Sequence, residues 1–263
     1  MRLLLTSDWQ ADSRNLDLCE IALQELLAAA ERYKPDAIIN LGDLKEQLSP
    51  VSVPVVKFWV KAVSRIKKSG FKFIILRGNH DRVSQTVDSE DWLSIFRSVE
   101  TASKPKVIEV GDGLLFCLPF VRSKDKEREW AKELAHRNKI VAPLHRVLLF
   151  HTDLKGAQMS AAGTQATGNS GADLLIPEYT AAFGGHIHIH QNIGGNAWYV
   201  GSPFCQDWGE SNISHGHVLA DITSSGVKVQ QLPTSIPGWY DKEFLDERRK
   251  HCEVCGGSGR VEK

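Results

Sequence analysis

An α/β protein of two sheets packed face to face, with helices outside, is predicted by three observations along the 263-residue chain. Three short apolar runs in the first third each end in polar residues and alternate with helical patterns, an order that implies a largely parallel sheet. The second half is richer in short strands and tight turns, which need a sheet of their own. The chain is 42% hydrophobic and 24% charged, so it has enough apolar material for a sizeable core.

The first run, RLLLTSD, is a strand that closes on Asp8. Asn15 follows as a candidate cap for a helix from Leu16 to Lys34, in which Leu16, Leu23, Leu26, Leu27 and Ala30 share a face. DAIINLGD repeats the arrangement and closes on Gly42 and Asp43; Pro54, in a first-turn position, then opens a helix through Val63 and Ile66 that stops at Gly70. FKFIILRGNHD is the third strand, ending at Asn79 and His80.

Further on, GDG at 111–113 and Gly194-Gly195 are predicted hairpin turns, and VLLFH is a strand ending in His151. HVLADITSSGVKVQQL reads as two strands around Ser224-Ser225-Gly226. KGAQMSAAGTQATGNSG, 155–171, is too poor in bulky residues for a core element and is expected to be a mobile loop. The run from Arg122 to Lys139 alternates charges at helical spacing, a solvated helix face first and a phosphate-backbone contact second. Residues 1–240 are expected to form the main domain, and the charged, then Gly-rich 241–263 a tail.

Lys plus Arg equals Asp plus Glu at 32 each, so no overall basic field attracts nucleic acid, and a polyanionic substrate must be held by local charge. Five cysteines, Cys19, Cys117, Cys205, Cys252 and Cys255, are odd in number and mostly scattered, unlike a disulfide framework. Without a long apolar run or a signal-peptide pattern, the expected location is cytoplasmic, with no membrane partner.

The polar residues that close the strands are Asp8, Asp43, Asn79, His80, His151, His186 and His188. In open α/β sheets ligands bind beyond the carboxyl ends of strands, where these residues fall. Carboxylates and an amide oxygen are hard donors and imidazole is borderline, so the mixture suits a pair of divalent transition metals. In GGHIHIH, an extended chain after Gly184-Gly185 would send His186, His188 and His190 to one side. Each feature also has a plainer local reading: a solvent-facing HxH strand, a GNHD turn, a helix cap at Asp43. Five strand ends acquiring metal-competent residues for unrelated reasons is the weaker account.

SD at 7–8, GDLKE at 42–46, GNHD at 78–81, FH at 150–151 and GHIH at 185–188 together resemble the motif series of the calcineurin-like metallophosphoesterases. With SDW at the start, HIHQ, YVGSP at 199–203 and HGHVLADI, the resemblance is closest to SbcD-type DNA repair nucleases, over roughly residues 1–235. It implies a four-layer αββα sandwich of two mixed sheets. It also implies one metal held by Asp8, position 10, Asp43 and His188, and a second held by Asp43, Asn79, His151 and His186. His80 would contact the scissile phosphate and assist the leaving oxygen, oriented by an acidic neighbour such as Glu46.

The function implied is hydrolysis of DNA, single- or double-stranded, by two divalent ions, with Mn²⁺ favoured over Mg²⁺. The alternatives are a phosphodiesterase for cyclic nucleotides or other small diesters, with 155–171 as its lid, and a metal-binding module with weakened catalysis.

Position 10 departs from the family pattern: Gln10 stands where an imidazole is expected. A neutral amide oxygen tilts that site toward Mn²⁺ or Mg²⁺ and away from Zn²⁺. Gln10 ligates directly, acts through water, or yields to another group such as His190. The length remaining after the core makes a coiled-coil ATPase partner doubtful. Cys252 and Cys255 in HCEVCGGSG resemble half a zinc-knuckle repeat, with too few ligands for structural zinc in one chain. Trp9 is either a base-stacking surface or a core residue, and Cys19 a buried apolar one.

Overall fold

The structure is a computed structural model that describes residues 1–236 apart from 47, 49, 87–89, 141–144, 161, 162, 169 and 211. The Cys252/Cys255 segment lies outside the described residues.

The first sheet is built from β1 (Arg2–Thr6), β2 (Ala37–Asn40), β3 (Phe73–Leu76) and β4 (Glu100–Ala102), which pair in parallel in that order. The hairpin β11 (Gly216–Thr223) and β12 (Gly226–Pro233) adds antiparallel strands beside β1, giving the order β12-β11-β1-β2-β3-β4. The second sheet, order β5-β6-β7-β8-β10-β9, comprises β5 (Lys106–Val110), β6 (Gly113–Leu118), β7 (His145–His151), β8 (Ala181–Gly185), β9 (Gln191–Asn192) and β10 (Ala197–Tyr199). Both sheets are mixed, and the expected hairpins at 111–113 and 194–195 are where β5 meets β6 and β9 meets β10.

Helices α1 (Leu16–Tyr33) and α2 (Val53–Lys68) are the crossovers between the parallel strands of the first sheet. Alternation within each strand divides its side chains between two cores. In β1, Leu4 packs with Leu23, Leu26, Phe58 and Trp59 of these helices, while Leu3 and Leu5 face the second sheet. In the second sheet Leu115, Val147, Leu149 and Phe183 face inward, and Phe116, Leu148 and Phe150 face outward. That outer face is covered by α3 (Lys124–Ile140) and the short α4 (Gly171–Leu175), through Ala131, Leu134, Ala172 and Leu175. Strands buried on both faces explain why AIIN, FIIL and VLLF read as continuous apolar runs. Each such Leu, Ile or Phe contributes roughly 1.5–3 kcal/mol of burial.

Three expectations are corrected and one alternative is decided. Asn15 precedes α1 but its side chain makes no cap bond; it accepts from Asp12 N–H at 2.8 Å and donates to the Gln10 carbonyl at 3.1 Å, pinning the loop after β1. Described residues of the 155–171 segment do enter a core: Ala157 and Ala166 are buried in the outer one and pair through Ala166 N–H to Ala157 O at 2.8 Å. The charged α3 is more than a solvated face, because Ala131 and Leu134 anchor it to the sheet. Trp9 is a core residue, 1% exposed, packed on Trp59 at 5.2 Å and on His217 at 6.0 Å.

His217 is a buried strand histidine at hydrogen-bond distance from Ala22 O (3.0 Å) and Thr6 Oγ1 (3.1 Å). Burial, only partly offset by the Ala22 carbonyl, pushes its imidazole down to about 4. The folded value lies below the unfolded one of ~6.5, so as pH falls through that interval the unfolded chain takes up a proton that the folded chain refuses. Stability should therefore drop by about 2 kcal/mol between pH 7 and pH 5 from this residue. Denaturant melts at the two pH values should show that drop in the parent and lose it in His217→Gln; an equal drop in both refutes it.

Candidate metal centre

The candidate residues all lie in loops just past strand ends, and the backbone there is unusual. Asp8, Gln10, Asp43 and His186 have φ of 51°, 45°, 56° and 85°; Lys34, the left-handed residue that ends α1, is the fifth non-glycine with positive φ among the described residues. Such conformations cost about 1–3 kcal/mol each and persist where surrounding structure enforces them. Here three loops are tied together: Asp8 N–H bonds Gly42 O, and Gln10 N–H bonds Asp43 O, both at 3.0 Å. Asp81 accepts from Asp43 N–H at 2.9 Å, Leu44 N–H at 3.1 Å, Gly78 N–H at 2.8 Å and Trp92 Nε1 at 3.1 Å.

Gly42 is required for two reasons. Its φ is +110°, and a Cβ there would sit 2.5 Å from His151 Nδ1. Lys45, buried, donates to the carbonyls of Leu48, His80 and Arg82 and so draws the GNHD turn against the GDLKE loop. Burial pushes its ammonium down to about 8.

The structure brings Asp43, Asn79, His151 and His186 to one point. Asn79 Oδ1 lies 3.0 Å from His151 Nε2 and 2.8 Å from His186 Nδ1, and Asp43 Oδ2 is 3.4 Å from His151 Nε2. One ligand atom each from Asp43, His151 and His186 falls within 4.8 Å of the others. His151 Nδ1 is 2.6 Å from Leu41 O, which leaves Nε2 for the cluster. Asp8, fully buried, accepts from His186 N–H with both oxygens at 3.0 Å.

Gln10 Nε2 donates to Asp43 Oδ2 at 3.0 Å, and its Oε1 is buried without a hydrogen-bond partner. His188 is half-buried and its Nδ1 lies 2.7 Å from Glu210 Oε1. His190 is drawn off instead: its Nδ1 lies 2.9 Å from the Tyr199 carbonyl, and it does not line the cleft. The HIHIH stretch is not a strand, because β8 stops at Gly185 and His186 takes positive φ. Its alternation survives only in part, with Ile187 and Ile189 buried in the outer core.

Gln10, Asp43, Asn79, His186 and His188 border a cleft of about 450 Å³ that His80 and Glu46 also line, while Asp8 and His151 are fully buried and do not line it. His80 N–H donates to Asp43 Oδ1 at 2.8 Å, and its ring Nδ1 is bonded to the backbone carbonyl of Glu46. The orienting partner is thus the Glu46 carbonyl rather than the carboxylate expected from the sequence.

Charge in the cluster is mutually adjusted. Burial lowers the His151 imidazole, but the adjacent Asp43 and then Asp8 outweigh it and carry it to about 9. His188 behaves likewise, raised to about 9 against burial by Glu210 and Asp8. Burial, reinforced by His151, pushes His186 down to about 4. Burial opposes ionisation of Asp43, yet His151 and His80 hold it below the usual carboxylate range. Asp8 is raised by burial, with Asp43 adding to it.

A family model described as calcineurin-like phosphoesterase matches residues 1–190. The chain belongs to the calcineurin-like phosphoesterases. Over 138 residues this phosphoesterase is 30% identical to the SbcD subunit of nuclease SbcCD from Escherichia coli strain K12, and equally to that of strain O157:H7. The match covers 48% of this chain and 34% of the relative, so the chain spans about a third of the length of the curated relatives it matches. A solved structure titled GAP50, the anchor in the inner membrane complex of Plasmodium, superposes with a TM-score of 0.56 at 10% identity, over 100% of this chain and 95% of that one, which shows a shared fold. Among the described residues, no helix of this phosphoesterase is long and apolar enough to cross a membrane.

As a member of that family the phosphoesterase uses divalent metal, and the donor set accommodates it. The unpartnered Gln10 Oε1 suits a cation beside Asp8 and Asp43. Glu210 was not read from the sequence, where it sits in CQDWGES without a recognisable motif. It holds His188 Nδ1, leaving Nε2 as the free donor, and it also accepts from Gln206 N–H at 2.9 Å. Gln206 in turn donates to the Asp8 carbonyl at 3.2 Å. Glu210→Gln should weaken divalent-metal binding through His188 by about 10–100-fold. Calorimetric titration with Mn²⁺ should show that loss; unchanged affinity would exclude the role.

Proposed function

We propose that this phosphoesterase hydrolyses DNA phosphodiester bonds with a pair of divalent ions, Mn²⁺ preferred and Mg²⁺ accepted. One ion would be held by Asp8, Gln10, Asp43 and His188, the other by Asp43, Asn79, His151 and His186, with Asp43 shared. The observation that carries this reading is the convergence of these side chains from five strand ends, with Gln10, Asp43, Asn79, His186 and His188 lining one cleft together with His80, and His151 clustered with Asp43 and His186. Similarity to a nuclease component over about half the chain supports DNA as the substrate.

Bound at this centre, the two ions supply the charge that polarises the phosphate and activates the attacking water. The chain's own groups do the rest. Asp43 and Asp8 set the ion positions from buried, backbone-bonded carboxylates. His80, held at Nδ1 by the Glu46 carbonyl, offers Nε2 to the leaving oxygen. In the step the water oxygen bonds phosphorus and releases a proton to solvent, the P–O bond to the leaving alkoxide breaks, and His80, in the doubly protonated form with Nδ1–H on the Glu46 carbonyl, gives its Nε2 proton to that alkoxide and is reprotonated from solvent. Gln10 keeps this centre neutral at one ligand, which favours hard ions.

A closed pocket for small cyclic diesters would need a lid, and neither cleft at the centre is lined by a described residue of 155–171. An open cleft suits a polymer.

The deciding assay offers the protein a chromogenic phosphodiester, its monoester counterpart, cyclic nucleotides, and single- and double-stranded DNA, each with Mn²⁺, Mg²⁺ or chelator. DNA and the diester should be hydrolysed with Mn²⁺ and spared in chelator. Turnover of cyclic nucleotides without DNA cleavage would transfer the assignment to a small-diester phosphodiesterase, and silence on all substrates to a weakened binding module.

A further inference from the structure

A second cleft of about 410 Å³ adjoins the metal centre and shares Asn79, His80 and His186 with it. Its charge is opposite in kind. Where the first cleft carries Asp12, Asp43, Glu46 and Asp207 with Arg14 as its one Lys or Arg, the second carries Arg82, Arg122 and Lys124 with Asp153 as its one carboxylate. These cations differ in how they are compensated. Lys124 is paired with Glu127 at 3.1 Å and Asp153 at 3.2 Å. Arg122 has neutral acceptors, Gln85 O at 2.7 Å and Gln85 Oε1 at 3.0 Å. Arg82 donates to Asn79 O, Thr86 O and Gln85 Oε1 at 3.2–3.4 Å. Among the described residues neither guanidinium has a carboxylate within ion-pair distance.

The position of Arg82 is fixed relative to the metal centre. Its guanidinium carbon lies 5.0 Å from the centroid of Phe120. The same ring packs against two candidate metal ligands, His186 at 6.2 Å and His151 at 6.3 Å. Phe120 therefore spaces a guanidinium from the reaction centre by one aromatic ring. Planar guanidiniums without carboxylate partners suit the tetrahedral oxygens of a phosphate.

We propose that the cleft bounded by Arg82, Phe120 and Arg122 is a second phosphate subsite, which holds the phosphate next to the scissile one in a polynucleotide. The proposal rests on the nuclease reading and gives it a reason to prefer a chain over a lone diester. A net charge of zero is then no obstacle, since the local field is built where the second phosphate falls.

Arg122 is the residue to change, because among the described residues its side chain hydrogen-bonds Gln85 and no candidate ligand. The substrates are p-nitrophenyl esters of thymidine phosphate, attached at the 5′ or the 3′ end, each compared with the same ester extended by one nucleotide. In the parent protein the added phosphate should raise kcat/KM by about tenfold or more in one polarity, the effect of a hydrogen bond to a charged group. Arg122→Gln should cancel most of that gain, and Arg122→Lys should keep part of it. Binding of a fluorescent oligothymidylate in chelator should show a salt slope shallower by about one in Arg122→Gln. The subsite is refuted if the parent shows no gain in either polarity, if Arg122→Gln retains it, or if that variant slows short and extended esters equally. DNA cleavage with an unaltered Arg122→Gln ratio removes the subsite alone; hydrolysis of simple diesters with no cleavage of DNA removes the nuclease reading and the subsite together.

Discussion

Asp43→Asn should abolish hydrolysis and empty both ion sites at once. The carboxylate is fully buried and committed on both oxygens: Oδ1 accepts from His80 N–H at 2.8 Å, while Oδ2 faces Gln10 Nε2 at 3.0 Å and His151 Nε2 at 3.4 Å. An amide keeps the first of these with its oxygen but turns a donor toward Gln10 and removes the negative charge that two cations would share. Losing several kcal/mol of charge stabilisation at 1.36 kcal/mol per tenfold corresponds to a fall of about 10³-fold or more. Bound manganese should fall from two per chain toward none by elemental analysis after dialysis. The fold should persist, because the Asp43 backbone keeps its bonds to Asp81 and Gln10. Retention of both ions in a folded Asp43→Asn protein would contradict a shared carboxylate.

That expectation stands on residues visible in the sequence, and the reason is topological. Parallel strands deliver their carboxyl ends to one edge, so Asp8, Asp43 and Asn79 could be grouped from strand order alone, and His151 follows because β7 ends at the same edge of the second sheet. Local backbone was less legible. The spacing of GGHIHIH suggested a strand, yet positive φ at His186 breaks the extension, and His190 is diverted to the Tyr199 carbonyl. Periodicity reports which side chains are buried, as Ile187 and Ile189 are, but not whether the chain carrying them pairs in a sheet.

Residues that act through another residue were the least legible. Glu210 and Gln206 sit in a stretch with no periodicity, and their roles arise from contacts 22 residues away at His188 and 198 away at Asp8. The arginine pair was hidden differently: Arg122 opens a run that reads as a solvated helix, and Arg82 follows GNHD, where attention falls on the histidine. The packing of Arg82 on Phe120 and the bonds of both arginines to Gln85 join them.

His80→Gln should separate chemistry from metal binding. The His80 ring is bonded to the Glu46 carbonyl, and only its backbone N–H touches a candidate ligand, so Gln at this position leaves the Asp43 contact in place. Manganese content and KM should stay near the parent values while kcat on DNA falls by about 10²–10⁴-fold, the range for removing a general acid. The size of the loss should depend on the leaving group. A nitrophenolate departs without taking a proton, whereas the alkoxide of a nucleotide needs one, so the chromogenic diester should suffer less than DNA. Equal losses on the two substrates would show that His80 only stabilises charge on the phosphate, and loss of manganese would show that its place is structural. A selective loss on the poorer leaving group follows only if the proton leaves from Nε2, the nitrogen that the Glu46 carbonyl leaves free.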